Sequence, residues 1–410
     1  MTDDPADARG GATRRVLRLP AFRAFLAGAA ASNVGTWFQD IAAAIVIFQA
    51  TGSATLVAVL AVCAHGTTIA FAPLGGDLAD RFDRRRLLVA ANAAQGVAAA
   101  VLAALAFAGA ATVPAILAVA FALGIGRAVN NPALQSLVPA IVERRDIAQA
   151  TALVSMTYSL ARVIGPVLGA AVVALAGAGP AFAVNATSFL LFAALLLGFV
   201  HVPRSAAAGR RGGILGGIRV VRRRPRIGRL LGAGVLVGIA TDPAITLGPA
   251  LADAFDAGTA RAGWFVAAFG AGAVLVSPFV GRLRDALGPD RTSLVALVLV
   301  GAAFAGVAVV GATAAAAMGA VLVLFAVAGV GFLLGNSDVV AGIQDEVDDE
   351  VRGRVLALWS MAFVGSRPLG ALLDGALADA LGPTAAVGAT GALVLVGVLV
   401  LTMLRRSAAS

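Results

Sequence analysis

The sequence has no lysine, one cysteine (Cys63), two histidines and one tyrosine in 410 residues, and only 13% of its residues are charged. A water-soluble globular chain carries about 25% charged residues, so this composition excludes a soluble fold. A single cysteine excludes an intrachain disulfide, and its place in an apolar run speaks for packing rather than redox chemistry. Two histidines and one cysteine cannot form a metal cluster at ligand spacing, and nothing in the chain calls for a cofactor. No glycine-rich phosphate loop ends in Gly-Lys-Ser/Thr, and no other enzyme signature is present. The 31 cationic residues are therefore all arginine, and the net charge is +9. That balance would suit nucleic acid, but no soluble segment offers a basic face, so nucleic acid is not an expected partner.

What is present is apolar: 60% hydrophobic residues, with 49 glycines that suit close helix packing in lipid. Apolar runs long enough to cross about 30 Å of hydrocarbon number twelve. The first six are Ala24 to Phe48, Ala54 to Leu74, Leu87 to Ala108, Val113 to Asn131, Ile147 to Ala176 and Ala181 to Val200. The second six are Leu230 to Ala252, Ala262 to Val280, Ser293 to Gly311, Ala314 to Leu334, Val355 to Ala380 and Thr384 to Leu404. The polar and then basic stretch Met1 to Arg23 precedes a run too long for a signal-peptide core, so an uncleaved first span is expected.

Orientation follows from the arginines. Arg127, Arg162 and Arg367 lie inside spans and Arg261 in an opposite loop, leaving 27 on one side, which the positive-inside rule makes cytoplasmic. Both termini are expected there, in an inner (cytoplasmic) membrane. Residues 1–200 and 230–410 are expected to form six-helix bundles joined by a basic linker, 201–229. Within that linker Ile214, Leu215, Ile218 and Val221 share a helical face opposite Arg219, Arg222 and Arg223, which suits a helix lying on an anionic leaflet.

An internal repeat supports the division. At an offset of 205, Pro73, Gly76, Leu78 and Asp80 meet Pro278, Gly281, Leu283 and Asp285. Gly124, Gly126 and Asn131 meet Gly329, Gly331 and Asn336, and Arg162, Gly165 and Leu168 meet Arg367, Gly370 and Leu373. Rare residues recurring in one register imply two parallel six-helix repeats.

Charges within spans are costly, so they face a cavity or a partner. Asp40, Arg127, Arg162, Asp242 and Arg367 are of this kind. Because Asp40 and Asp242 lie near repeat-equivalent positions and Arg162 and Arg367 are repeat mates, the expected pairs are Asp40 with Arg162 and Asp242 with Arg367. Each pair reads either as a static bridge that fixes helix register or as a site where a desolvated carboxyl loads and releases a proton. His65 reads as a helix contact or a proton relay. Asn33, Trp37 and Gln39 are expected to line a cavity. The acidic run Asp345 to Glu350 is expected to face the basic loops of the other half.

The densest polar signal is Gly75-Gly76-Asp77-Leu78-Ala79-Asp80-Arg81-Phe82-Asp83-Arg84-Arg85-Arg86, between the second and third runs. It resembles the G-x-L-x-D-R-x-G-R-R loop of the major facilitator superfamily, with Asp83 where many members have Gly. The variant D-R-x-D-R-R is similar to the branch of enterobactin exporters and macrolide-efflux proteins. Gly165-Pro166-Val167-Leu168-Gly169-Ala170 resembles the G-P-x-x-G-G motif of proton-coupled exporters, with Ala170 for the last Gly. The same small residues would also serve plain helix packing.

The resemblance implies an all-helical, twelve-span fold and a secondary transporter working by alternating access as a monomer. Proton-coupled efflux of a hydrophobic or amphipathic small molecule is the expected activity, with an uptake symporter or a non-transporting scaffold as alternatives. It also implies a conformational gate formed by Gly76, Asp80, Arg81, Arg84, Arg85 and Asp285. In that gate Asp80 would meet the N-terminus of the eleventh span near Arg352-Gly353-Arg354.

Overall fold

The structure, a computed structural model, describes residues 13–200, 214–289, 291–313 and 318–407. Most of the basic linker's first part, 201–213, and the expected start of the tenth span at Ala314 lie outside the described residues. Twelve spans follow in order. The first six are α1 (Pro20–Thr51), α2 (from Ala54 to Arg81), α3 (Arg84–Phe107), α4 (Val113–Ile141), α5 (Ile147–Ala176) and α6 (Ala178–Phe199). After a linker helix (Ile214–Arg223) come α7 (from Pro225 to Ala254), α8 (Ala262–Leu287), α9 (Arg291–Gly311), α10 (Met318–Glu346), α11 (Asp349–Leu381) and α12 (Pro383–Ser407). Ten of these are long and apolar enough to cross a membrane as they stand. The bent α2 supplies an eleventh, and α1, at 32 residues, has the length of a span though it carries Arg23 and Asp40.

Local chemistry sets the ends. Ser53 and Asp83 occupy N-cap positions, accepting from the backbone N–H of Leu56 and Arg86. Gly177 and Gly382, both with φ near +80 to +90°, follow the last turns of α5 and α11, where a left-handed residue closes a helix.

Two spans that read as continuous runs in the sequence are broken. In α2, a π-turn at Val62–Gly66 is followed by a 46° bend between Ala70 and Ala72, next to Pro73, which has no N–H to give the preceding turn. In α7 the helix stops at Ile239 and resumes at Pro243–Thr246 and Gly248–Ala254, each new segment having proline in its first turn. By contrast α4 and α10 run past the expected ends at Asn131 and Leu334, to Ile141 and Glu346. Hydropathy marks where hydrocarbon ends; backbone hydrogen bonding carries the helix on into polar surroundings.

The chain forms two compact units: residues 1–43 with 67–209, and residues 44–66 with 210–410. The second unit thus takes in the end of α1 and the first half of α2. In the first unit α3 packs on α4 and α6, and the latter part of α2 packs on α4. The second unit repeats the plan: α9 packs on α10 and α12, and α8 on α10. Phe22, Phe25, Leu88, Leu137 and Phe192 form a buried cluster in the first unit, and in the second Phe325 meets Phe265 edge-on and Phe304 at a tilt. α11 lies against α7, α12 and the first half of α2.

Candidate functional site: charged groups within the spans

Close helix contact comes first, because it decides which faces the charges can occupy. A Cβ on Gly165 would lie 2.6 Å from Trp37 Cβ, and one on Gly169 would lie 2.7 Å from Ile41 Cγ2 and 3.0 Å from Phe38 Cα. Only glycine allows α5 to meet α1 at that distance. Pro166, between them in sequence, is also buried. In the second unit Gly370, the repeat mate of Gly165, meets Ile239 of α7 in the same way.

Trp37 and Ile41 therefore form the face of α1 that sits on α5. Asp40 is one residue before Ile41, turned by about 100°, and points elsewhere. Its Oδ1 accepts from Arg127 Nη2 of α4 at 3.2 Å. This corrects the expected partner, Arg162, which stands half-buried on α5 with contacts of its own. The side chains of Asp40 and Arg127 remain 23% and 18% exposed. Asn33, also on α1, donates to Thr157 Oγ1 of α5 at 3.2 Å. Trp37 is buried beside Tyr158, with ring centroids 6.3 Å apart. Gln39, expected to line a cavity, is instead buried and accepts from Asn185 of α6 at 2.7 Å.

The second unit holds Asp242 with Arg367, as the repeat implied. Nε and Nη2 of Arg367 donate to the two carboxylate oxygens at 3.3 and 3.1 Å, a fork geometry. Asp242 is 1% exposed. The break in α7 creates this site, since Asp242 is the residue immediately before Pro243 and stands at the N-cap position of the resumed segment.

Two acidic residues of α11 escaped the sequence reading. Asp374 is fully buried, and its Oδ1 accepts from the Thr390 hydroxyl of α12. At the end of the same helix Asp379 receives Ser53 Oγ at 2.7 Å and the backbone N–H groups of Ala54 and Thr55 at 2.7 and 3.1 Å. It thereby caps the N-terminus of α2, where a carboxylate is favoured by free N–H groups and the helix dipole. A Cβ on Gly375 would lie 2.8 Å from Ala54 O, so this contact too depends on close approach. The signal for Asp374 was available: the repeat register, carried one residue past Leu373, sets it against Gly169.

The polar loop after α2 is held within the first unit. Arg81 pairs with Asp77 at 2.8 Å one turn away, on the surface. Arg85 donates to the carbonyls of Leu196 and Leu197 at the end of α6, at 2.9 and 2.5 Å, and Arg84 reaches Ser136 O at 3.4 Å. Cations on terminal carbonyls satisfy groups that a helix leaves open. Gly75, rather than Gly76, is the close-packed residue: a Cβ there would lie 2.0 Å from Ala128 O, whereas Gly76 faces open space. The Asp80 side chain lies outside the described residues. Asp285 is exposed, and the residue before it, Arg284, makes the contacts instead. Arg284 donates to Asp338 Oδ1 at 3.0 Å and Asp345 Oδ2 at 2.6 Å. Asp338 in turn accepts from Ser293 N at 3.1 Å.

The rest of the acidic run also turns to its own unit. Glu346 pairs with Arg226 at 2.9 Å, and Asp348 with Arg224 at 3.5 Å. The expectation that the run faces the other half is thus corrected for Asp345, Glu346 and Asp348. The arginines that open α7 and close α8 belong to the same bundle and meet the end of α10 directly.

The family described as "transmembrane secretion effector", of the major facilitator type, matches residues 13–409. The chain belongs to that family. It is 27% identical over 391 residues to the enterobactin exporter EntS of Escherichia coli O1:K1, covering 94% of this chain and 92% of the relative. The EntS of Shigella boydii serotype 4 matches at the same identity and coverage. Among solved structures, a mutant of the nucleoside transporter NupG aligns with a TM-score of 0.76 at 12% identity, over 94% of this chain and 99% of that one. A bacterial homologue of the human lysosomal transporter Spinster, in an inward-facing and occupied conformation, also gives 0.76, at 14% identity, over 93% and 96%. At those identities the structural likeness speaks for the fold alone. As a member of this family the chain is a multi-pass membrane transporter.

Proposed function

We propose that the chain exports a hydrophobic or amphipathic small molecule across the cytoplasmic membrane, as a monomer with both termini inside, and that inward proton flow drives it. The observation that carries the reading is an acid–base site within the spans of each repeat: Asp242 with Arg367, which is buried, and Asp40 with Arg127, which is partly exposed. Such charges are kept within a bilayer where they serve a substrate or ion path. A carboxylate held by an arginine can take up a proton and free that arginine, which changes the interactions available to a ligand and the balance between two conformations. The likeness to enterobactin exporters supports the outward direction.

An export panel of amphipathic dyes and catecholate siderophores in a deletion strain, followed by everted vesicles, tests this. Acidifying the vesicle lumen is expected to drive uptake of the exported compound. Uptake driven by the opposite gradient would make the protein a symporter, and no gradient dependence would remove the proton from the mechanism. Orientation is checked in a Cys63→Ser background: cysteine at Thr51 or Thr112 is expected to react with an impermeant reagent in intact cells, whereas cysteine at Asp83 stays unlabelled. Labelling at position 83 would invert the topology.

A further inference from the structure

Asp374 is the acidic residue that neither the loop motif nor the buried ion pairs account for. It sits in α11, fully buried, seven residues after Arg367 and so two turns along the same face. Its Oδ1 accepts from the Thr390 hydroxyl, and its Oδ2 is buried with no hydrogen-bond partner. Among the described residues, the segments packed around it carry no arginine at that level. α12 has no charged side chain from Pro383 to Leu404, and Ala54–Ala61 of α2 has none. The π-turn contributes Cys63 and His65, and the α7 break contributes Asp242, already engaged in the fork of Arg367. Asp345 and Glu346 end α10 just before α11 begins, several turns back along that helix, and Asp338 is held by Arg284 and Ser293 N. On α11 itself Asp379 is engaged by the first turn of α2.

A carboxylate with one neutral donor, in a span and without a counter-ion, carries a desolvation cost far above that of the neutral acid. The repeat sharpens the point: the mate of Asp374 is Gly169, which only packs. An acid at a position where the scaffold needs a small residue calls for a reason beyond packing.

We propose that Asp374 is the proton-binding carboxyl of the transport cycle, with Thr390 as its positioning partner. This deepens the proton-coupled reading and rests on it. In the conformation described the acid is neutral, with Oδ1 accepting from Thr390 and Oδ2 carrying the proton. Release breaks the Oδ2–H bond, the proton passes to a water admitted when the surroundings of α11 and α12 open, and the electron pair stays on the carboxylate. The Thr390 hydroxyl goes on donating to the charge left behind.

Infrared difference spectroscopy of the purified protein at neutral pH, with Asp374→Asn as reference, reads the proton without any substrate. A protonated-carboxyl C=O band in the wild type that is lost in Asp374→Asn and shifted in Thr390→Val is expected. No such band, or a band unchanged by Asp374→Asn, overturns the assignment. Should Asp374→Asn fail to fold, the Thr390→Val shift decides alone: a protonated-carboxyl band that does not move rules out Asp374. Transport separates the two levels of the reading. Gradient-driven uptake present in the wild type and in Asp374→Asn overturns Asp374 while leaving proton coupling intact. Its absence from the wild type, with the infrared band present, overturns the coupling instead.

Discussion

Gly169 and Asp374 occupy the same place in the two repeats, 205 residues apart, and the helices around them differ accordingly. In the first unit the position is a packing surface, where α5 comes close enough to α1 for a methyl group to clash with Ile41. In the second it is a buried acid of α11 that accepts from Thr390 of α12. The ion pairs differ in the same sense. Asp40 and Arg127 keep about a fifth of each side chain exposed, whereas Asp242, at the break of α7, and Arg367 of α11 are buried. At this position the duplicated scaffold has a packing glycine in one copy and a buried acid in the other.

The largest expected effect tests the enclosed pair. Removing Arg367 alone strands a buried carboxylate and is expected to cost about 3 to 5 kcal/mol, while Asp242→Asn with Arg367→Met together costs clearly less. The partly exposed pair is expected to show a coupling of only about 0.2 to 1 kcal/mol when Asp40→Asn and Arg127→Met are combined. Thermal unfolding in detergent, run as two double-mutant cycles, measures both. Equal coupling energies would erase the contrast between the units.

The packing side of the comparison comes next. Gly169→Ala forces a contact of 2.7 Å with Ile41 and is expected to destabilise the protein by about 1 to 3 kcal/mol, the range for overpacking a tight seam. A neutral outcome would mean that α1 and α5 can separate without cost. The smallest effect concerns Asp83, whose side chain caps α3. Replacing it by the glycine common in the family is expected to cost only a few tenths of a kcal/mol, and by alanine about 1 kcal/mol. A larger loss for Asp83→Gly than for Asp83→Ala would show that the residue does more than cap.

Much of this was legible in the sequence. Twelve runs, two repeats and the pairing of Asp242 with Arg367 follow from hydropathy and from a register marked by rare residues. The partner of Asp40 was not legible, because it depends on a rotation of one residue about α1: Trp37 and Ile41 meet α5, and Asp40 is left to α4. The break at Asp242 was signalled by Pro243, but hydropathy averages across it. Asp379 could not be read at all, since the turn at the start of α2 and the end of α11 are more than 320 residues apart in the chain. The acidic run likewise looked free to pair anywhere, and only the fold sets it against Arg224, Arg226 and Arg284.

The central claim is that the second repeat carries the proton while the first supplies a packing seam and a partly exposed ion pair. Gradient-driven uptake into everted vesicles, measured side by side for Asp40→Asn and Asp374→Asn with the panel compound that the wild type carries, tests it most directly. The expected result is a gradient-driven component in Asp40→Asn and none in Asp374→Asn, with substrate exchange at equal pH preserved in both. Gradient-driven uptake lost in Asp40→Asn and kept in Asp374→Asn would contradict it.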